Sequence, residues 1–140
     1  MGLPLPAFSL ENLHPILVNF TAALVPASVL SDLLGRMLGR DSLKHAAWWT
    51  LLYAAAATPF TALTGWFWKR SIEAALSPDL IAVHQWLGIW LACAFPALLV
   101  WRWRFHGRGE SPGLAYFVTA ALTLLALIYQ GHVGGSMAFG

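Results

Sequence analysis

Four apolar segments, each long enough to cross a bilayer, constrain the fold of this sequence more than any other feature. They extend over about 13–34, 46–68, 80–101 and 114–130, and a transmembrane helix needs about 20 mainly apolar residues. Short polar links join them. Only 10% of the 140 residues are charged, whereas a soluble domain carries about 25%. We therefore predict a single all-α domain over 1–140, an integral membrane four-helix bundle in contact with the lipid bilayer.

The basic residues of the links predict how this bundle is oriented. The second link carries Lys69 and Arg70, whereas the first and third links together carry six basic residues: Arg36, Arg40, Lys44, Arg102, Arg104 and Arg108. By the positive-inside rule, the two links with six basic residues are cytoplasmic. Both termini then lie on the outer side of a multi-pass membrane protein. The formal net charge of +2 is small, and no basic run indicates a nucleic-acid partner.

Local signals predict two helix starts and the partner of one charge within a span. Ser42 is expected to cap the second span, and Pro112 is expected at the first helical position of the fourth. Asp32 lies inside the first span and is expected to cap or to pair near Arg36, its neighbour four residues on.

Small residues at three- and four-residue steps along the second span are typical of close helix packing: Ala54, Ala57, Thr58, Thr61 and Gly65.

Three histidines from three different spans fall at one predicted depth. His14 begins the first span, His84 lies about one turn into the third, and His132 ends the fourth. In the predicted topology all three lie at the outer face. Ionisable groups inside spans are costly and often mark function, so we predict a site there. His45 and His106 fall at the opposite face, where hydration is the expected state.

Glycines accompany two of these histidines. Gly88 follows His84 by four residues, which places it one turn deeper on the same helical face. Gly131 and Gly135 lie close to His132. Glycine leaves the space that a flat macrocycle needs beside its ligand.

Two neutral imidazoles from facing helices suit haem b. We predict His84 and His132 as the axial ligands, because their helices are consecutive and antiparallel. His14 could replace one of them, bind a propionate or lie near a quinone. Copper or zinc held by the three histidines together is the alternative. The sequence lacks Cys-x-x-Cys-His, which excludes covalent c-type haem.

Four motifs occur in order along the chain: LHPILVNF, TGWFW, HQWLG and GHVGG. In these motifs the sequence resembles a family of small bacterial four-helix membrane proteins of unknown function, whose members resemble b-type membrane cytochromes. The resemblance covers nearly the whole chain and implies a respiratory or redox setting, beside Rieske or cytochrome c modules. It also implies a location in the bacterial inner membrane, where the outer side that holds both termini is the periplasmic side. The family pattern has a second histidine in a Val-His-Phe step where this chain has Asn19. That departure gives His14, His84 and His132 more weight as ligands.

Three functional hypotheses follow. The first is a b-type cytochrome, or the haem-carrying subunit of an electron-transfer complex, that exchanges electrons with quinone or periplasmic cytochrome c. Such a protein would catalyse no bond-making on its own. The second is a cofactor-free structural accessory subunit of a large respiratory or photosynthetic membrane complex. The third and weaker one is a copper- or zinc-binding membrane protein.

Overall fold

The computed structural model describes residues 10–106, 108 and 110–139, and these form four long helices. The helices are α1 (Leu10–Leu38), α2 (Asp41–Ile72), α3 (Pro78–Trp103) and α4 (Leu114–Phe139). A single 3-10 turn, Glu73–Ala75, follows α2. Each predicted span lies inside one helix, and α4 continues past the predicted end at 130 through the glycine-rich segment. The all-α prediction is confirmed.

Helices that follow each other in the chain pack as antiparallel neighbours. α1 packs on α2, α2 on α3, α3 on α4, and α4 returns to α1. The starts of α1 and α3 therefore meet the ends of α2 and α4, and this end of the bundle is called the His14 end. The opposite end is called the Arg102 end. Both ends of the described chain lie at the His14 end, as an even number of antiparallel helices requires.

Three of the helices are long and apolar enough to cross a membrane, by length and composition. These spans are Leu13–Leu38, Pro78–Trp103 and Leu114–Ala138. α2 is not among them, because threonine, tryptophan and proline lower its mean hydropathy. It nevertheless runs the length of α1, since Lys44 lies against Gly35 at one end and His14 lies against Gly65 at the other. The transmembrane span over 46–68 stays a prediction, which this packing favours.

Two predicted helix starts are wrong. α2 begins at Asp41, one residue before Ser42, and Arg40 precedes it without a side-chain capping bond. α4 begins at Leu114 rather than at Pro112. Pro112 is buried, and its carbonyl oxygen accepts a hydrogen bond of 2.7 Å from Nη1 of Arg36. This contact ties the segment before α4 to the end of α1.

A buried ion pair crosses the interior of the bundle near the Arg102 end. Arg102 donates from Nε to Oδ2 of Asp32 at 2.7 Å and from Nη2 to Oδ1 at 2.9 Å. The two side chains are 2% and 1% exposed. Nη2 also lies 3.4 Å from the carbonyl oxygen of Lys44. The expected pairing of Asp32 with Arg36 is therefore wrong, because Asp32 points inward while Arg36 bonds Pro112.

The small-residue stripe of α2 is confirmed as a packing surface. Ala54, Thr58 and Thr61 are buried. The threonine hydroxyls donate to carbonyl oxygens one turn back in the same helix, which satisfies them without a partner from another helix. Small side chains let α1 and α2 approach closely, and dispersion contacts drive helix association in lipid.

Asp32→Asn should lower the free energy of unfolding by about 3–5 kcal/mol, because the charge of Arg102 would stay buried without a counterion. Thermal unfolding of the detergent-solubilised protein, followed by circular dichroism, measures the loss. The double variant Asp32→Leu/Arg102→Met should recover much of it.

Asp41→Asn is the matched control, because Asp41 pairs with Lys44 at 2.9 Å on the surface. Exposed pairs contribute little to stability, so this variant should unfold like the wild type. Equal losses from Asp32→Asn and Asp41→Asn would contradict a special role for the buried pair.

Candidate functional site

A cavity of about 90 Å³ lies at the His14 end. It is open on one side, since Trp66 and Ile89 in its wall are 48% and 38% exposed. All four helices contribute to its lining: His14, Ala62, Gly65, Trp66, Trp68, Lys69, Ile72, Ile81, His84, Gln85, Gly88, Ile89 and Gln130.

His14 is buried, and α2 holds its ring in one tautomer. Its Nδ1 lies 3.0 Å from the carbonyl oxygen of Thr61 and 3.4 Å from Oγ1 of Thr64. A carbonyl oxygen can only accept, so Nδ1 carries the proton and Nε2 keeps a free lone pair. Histidines that bind metals through Nε2 usually donate their other N–H to a carbonyl or carboxylate in this way.

His84 faces His14 from α3. The two ring centres are 6.5 Å apart and the ring planes are nearly perpendicular, at 80°. Two imidazoles that bind one metal ion from opposite sides, with bonds of about 2 Å, have ring centres about 6 Å apart. The spacing of this pair therefore suits a shared ligand between the rings.

Gln130 of α4 supports His84 and leaves two polar atoms unsatisfied. Its Nε2 donates to the carbonyl oxygen of His84 at 2.9 Å. Nδ1 of His84 and Oε1 of Gln130 are both buried without a hydrogen-bond partner. Buried polar atoms are nearly always paired in native proteins, so these two indicate that a polar group belongs in the cavity.

Two glycines make space for the imidazole rings. A Cβ added at Gly65 would lie 2.7 Å from Cε1 of His14, and one added at Gly134 would lie 3.0 Å from Cε1 of His84. Each ring thus lies close to the backbone of a neighbouring helix, with its Cε1 atom nearest. Gly88 likewise makes space for the side chain of Gln130, because a Cβ added at Gly88 would lie 3.2 Å from Nε2 of Gln130.

The charge of the cavity is positive. Among the described residues that line it there is no carboxylate, and Lys69 contributes an ammonium group that donates to Oε1 of Gln85 at 2.8 Å. Over the described part of the chain, no three His, Cys, Asp or Glu side chains form a group that could hold a metal ion. The site therefore offers two imidazoles and a cation, which suits a ligand that brings its own negative charge.

The structure brings together some of the predicted site residues and separates others. His14, His84 and Gly88 line the cavity. His132 is exposed and does not line it, and its carbonyl oxygen accepts from Oγ of Ser136 at 3.0 Å. The two other predicted glycines, Gly131 and Gly135, have open space where a Cβ would be.

Sequence reasoning missed Gln130 and Gly134, which face His84 from α4. They are four residues apart, so they share one face of a helix. His132 lies two residues from each, which turns it by about 200° to the opposite side. The four-residue spacing of Gln130 and Gly134 indicates this shared face only if the helix continues past Gln130.

The fold and the site together define a class, a helical membrane bundle with two facing imidazoles at one end. The family described as "Predicted membrane protein (DUF2231)" matches residues 10–140, and the chain belongs to this family. The predicted membership in a family of membrane proteins of unknown function is therefore confirmed. Comparisons with curated proteins and with solved structures each found no match.

Gly65→Ala should lower the free energy of unfolding by about 1–3 kcal/mol, because the new methyl group overlaps the ring of His14 and overpacked sites relax at that cost. Thermal unfolding in detergent measures it. Gly131→Ala is the matched control, since open space surrounds Gly131 within α4. This control should be neutral or stabilising by up to about 1 kcal/mol. Equal losses in both variants would contradict close packing of His14 on Gly65.

Proposed function

We propose that the protein is a membrane-bound b-type cytochrome, or the haem-carrying subunit of an electron-transfer complex, in which His14 and His84 would hold the haem iron. The observation that carries this proposal is the facing pair of imidazoles from α1 and α3, with ring centres 6.5 Å apart. The pair differs from the sequence prediction, in which His84 and His132 were the ligands.

The donor set suits a haem iron. The bond from Nδ1 of His14 to Thr61 leaves Nε2 free to bind. The neighbouring helix backbones at Gly65 and Gly134 hold the two rings. A ligand fixed in tautomer and orientation before the metal arrives binds more tightly.

The charges favour haem over a bare metal ion. Two neutral imidazoles beside Lys69 would leave Zn²⁺ or Cu²⁺ without an anionic ligand, and uncompensated charge is costly away from water. Haem brings the negative charge of its macrocycle and two propionates, and Lys69 is a cation at the cavity that could pair with a propionate. Copper or zinc at this site is therefore less favourable than haem.

The cavity between the two histidines is small for a ligand of the size of haem. About 90 Å³ suffices for an ion between the rings, whereas pockets for larger ligands commonly measure about 300–1,000 Å³. Haem would therefore need more room than the cavity has, and the exposed side chains of Trp66 and Ile89 mark the open side where that room could form.

Bound haem would supply one-electron transfer. The chain would hold the iron with His14 and His84, fix the His14 tautomer with the Thr61 carbonyl, and exclude water with Trp68. If the His14 end is periplasmic, as the basic residues predict, quinol or a periplasmic cytochrome c could exchange electrons there. An accessory subunit without a cofactor is the competing function, and it requires neither histidine.

The first test is the absorption spectrum of the full chain, purified in detergent, before and after reduction with dithionite. A sharp Soret band with resolved α and β bands on reduction is expected, because two imidazoles make the iron six-coordinate. His14→Gly and His84→Gly should each abolish that spectrum, and added imidazole should restore part of it by filling the vacated space.

His132→Gly is the matched control and should keep the wild-type spectrum, since His132 lies off the cavity lining. Circular dichroism and size-exclusion chromatography check that each variant folds. A colourless wild-type protein after growth with a haem precursor would overturn the proposal and favour the accessory subunit. Loss of the spectrum in His132→Gly, with His14→Gly unaffected, would return the ligand pair to His84 and His132.

A further inference from the structure

A second, wider cavity lies at the Arg102 end, far from the histidine pair. Its volume is about 400 Å³, and the described residues that line it are Val100, Trp103, Arg104, His106 and Arg108. It begins where the apolar span of α3 ends, at Trp103. Tryptophan is typical of the membrane–water interface, so this cavity lies at the depth of the lipid headgroups.

The lining carries positive charge without a compensating carboxylate. Arg104 and Arg108 are both exposed. In the described part of the chain neither guanidinium forms an ion pair, and the two ion pairs found there join Asp32 to Arg102 and Asp41 to Lys44.

One wall of the cavity is held in place by aromatic contacts. The ring of His106 stacks on Trp48, with ring centres 4.1 Å apart and an angle of 18° between the planes. The ring of His45 lies edge-on to the ring of His106, with ring centres 6.3 Å apart. Partial burial lowers the pKa of His106, and the positive charges of Arg102 and His45 lower it further. The cavity therefore has a positive potential and a fixed wall.

The other wall is apolar and exposed. Trp103 is 66% exposed, and Val100, one turn earlier on α3, is exposed as well. A phosphate ion from solution would gain nothing from these two side chains, whereas a phospholipid would place its glycerol and first acyl carbons along them. The combination of two arginines and an apolar wall favours a lipid over a free anion.

We infer that this cavity binds the phosphate group of an anionic phospholipid, with Arg104 and Arg108 as the binding residues and Val100 and Trp103 as the contact for the lipid chain. Basic pockets at the cytoplasmic ends of transmembrane helices bind anionic headgroups. The positive-inside rule predicts that the Arg102 end is cytoplasmic, where anionic lipids are abundant. This site is independent of the proposed haem.

Native mass spectrometry tests the inference on the full chain, released from detergent mixed with equal amounts of phosphatidylglycerol and phosphatidylcholine. The wild type should retain one phosphatidylglycerol preferentially. Arg104→Gln/Arg108→Gln should weaken this binding about 25-fold, since each basic residue near an anionic lipid contributes about fivefold. Arg104→Gln alone should weaken it about fivefold, which keeps the test valid if the double variant folds poorly.

Arg40→Gln is the matched control for Arg104→Gln, because Arg40 lies at the same end of the bundle but outside the cavity. This control should bind within about twofold of the wild type, since salt screens exposed charges that lie apart from the ligand. Equal weakening by Arg104→Gln and Arg40→Gln would overturn the site, as would equal retention of the two lipids by the wild type. Inorganic phosphate is added in a separate arm, and displacement of the lipid by millimolar phosphate would overturn the lipid in favour of a free anion.

Discussion

The bidentate pair between Asp32 and Arg102 is the interaction on which the arrangement of the helices depends. A charge buried alone in a low-dielectric interior costs several kcal/mol, so the helices must bring these two groups together. The pair joins α1 to α3 across the bundle, and Arg102 also approaches the Lys44 carbonyl of α2. The pair thus fixes the depths of α1, α2 and α3 relative to one another. Apolar packing alone could not specify these depths, because lipid is as apolar as the helix surfaces.

That register decides which residues meet at the opposite end. Because α1 and α2 are antiparallel and cannot slide past each other, His14 lies against Gly65 and bonds Thr61. α4 lies outside this pair, and the bond from Nε2 of Gln130 to the carbonyl oxygen of His84 holds α4 beside α3, where Gly134 lies against His84. A shift of one residue would place a side chain where a ring now lies. The glycines therefore do more than allow close packing, since they specify where the imidazoles lie.

The two ends of the bundle have different chemistry. The His14 end holds a small cavity with two facing imidazoles, two unsatisfied polar atoms and a lysine. The Arg102 end has a wider basic cavity beside tryptophan. The proposed haem site and the proposed lipid site therefore lie at opposite ends of the bundle. The buried ion pair lies near the Arg102 end, where the charges of Asp32 and Arg102 compensate each other inside the bundle.

Hydropathy and helical periodicity are local properties, so the sequence alone determined the four helices, their membrane class and the shared depth of His14 and His84. It did not determine which histidines face each other. His132 lies at a similar depth, but α4 continues as a helix past residue 130. The His132 side chain therefore lies on the side of α4 opposite Gln130 and Gly134. A span that ended at 130 would not predict this orientation. The partner of Asp32 was likewise beyond local reasoning, because Arg102 is 70 residues away. The direction in which a side chain points around its helix has no effect on hydropathy, and only the packed neighbours select it.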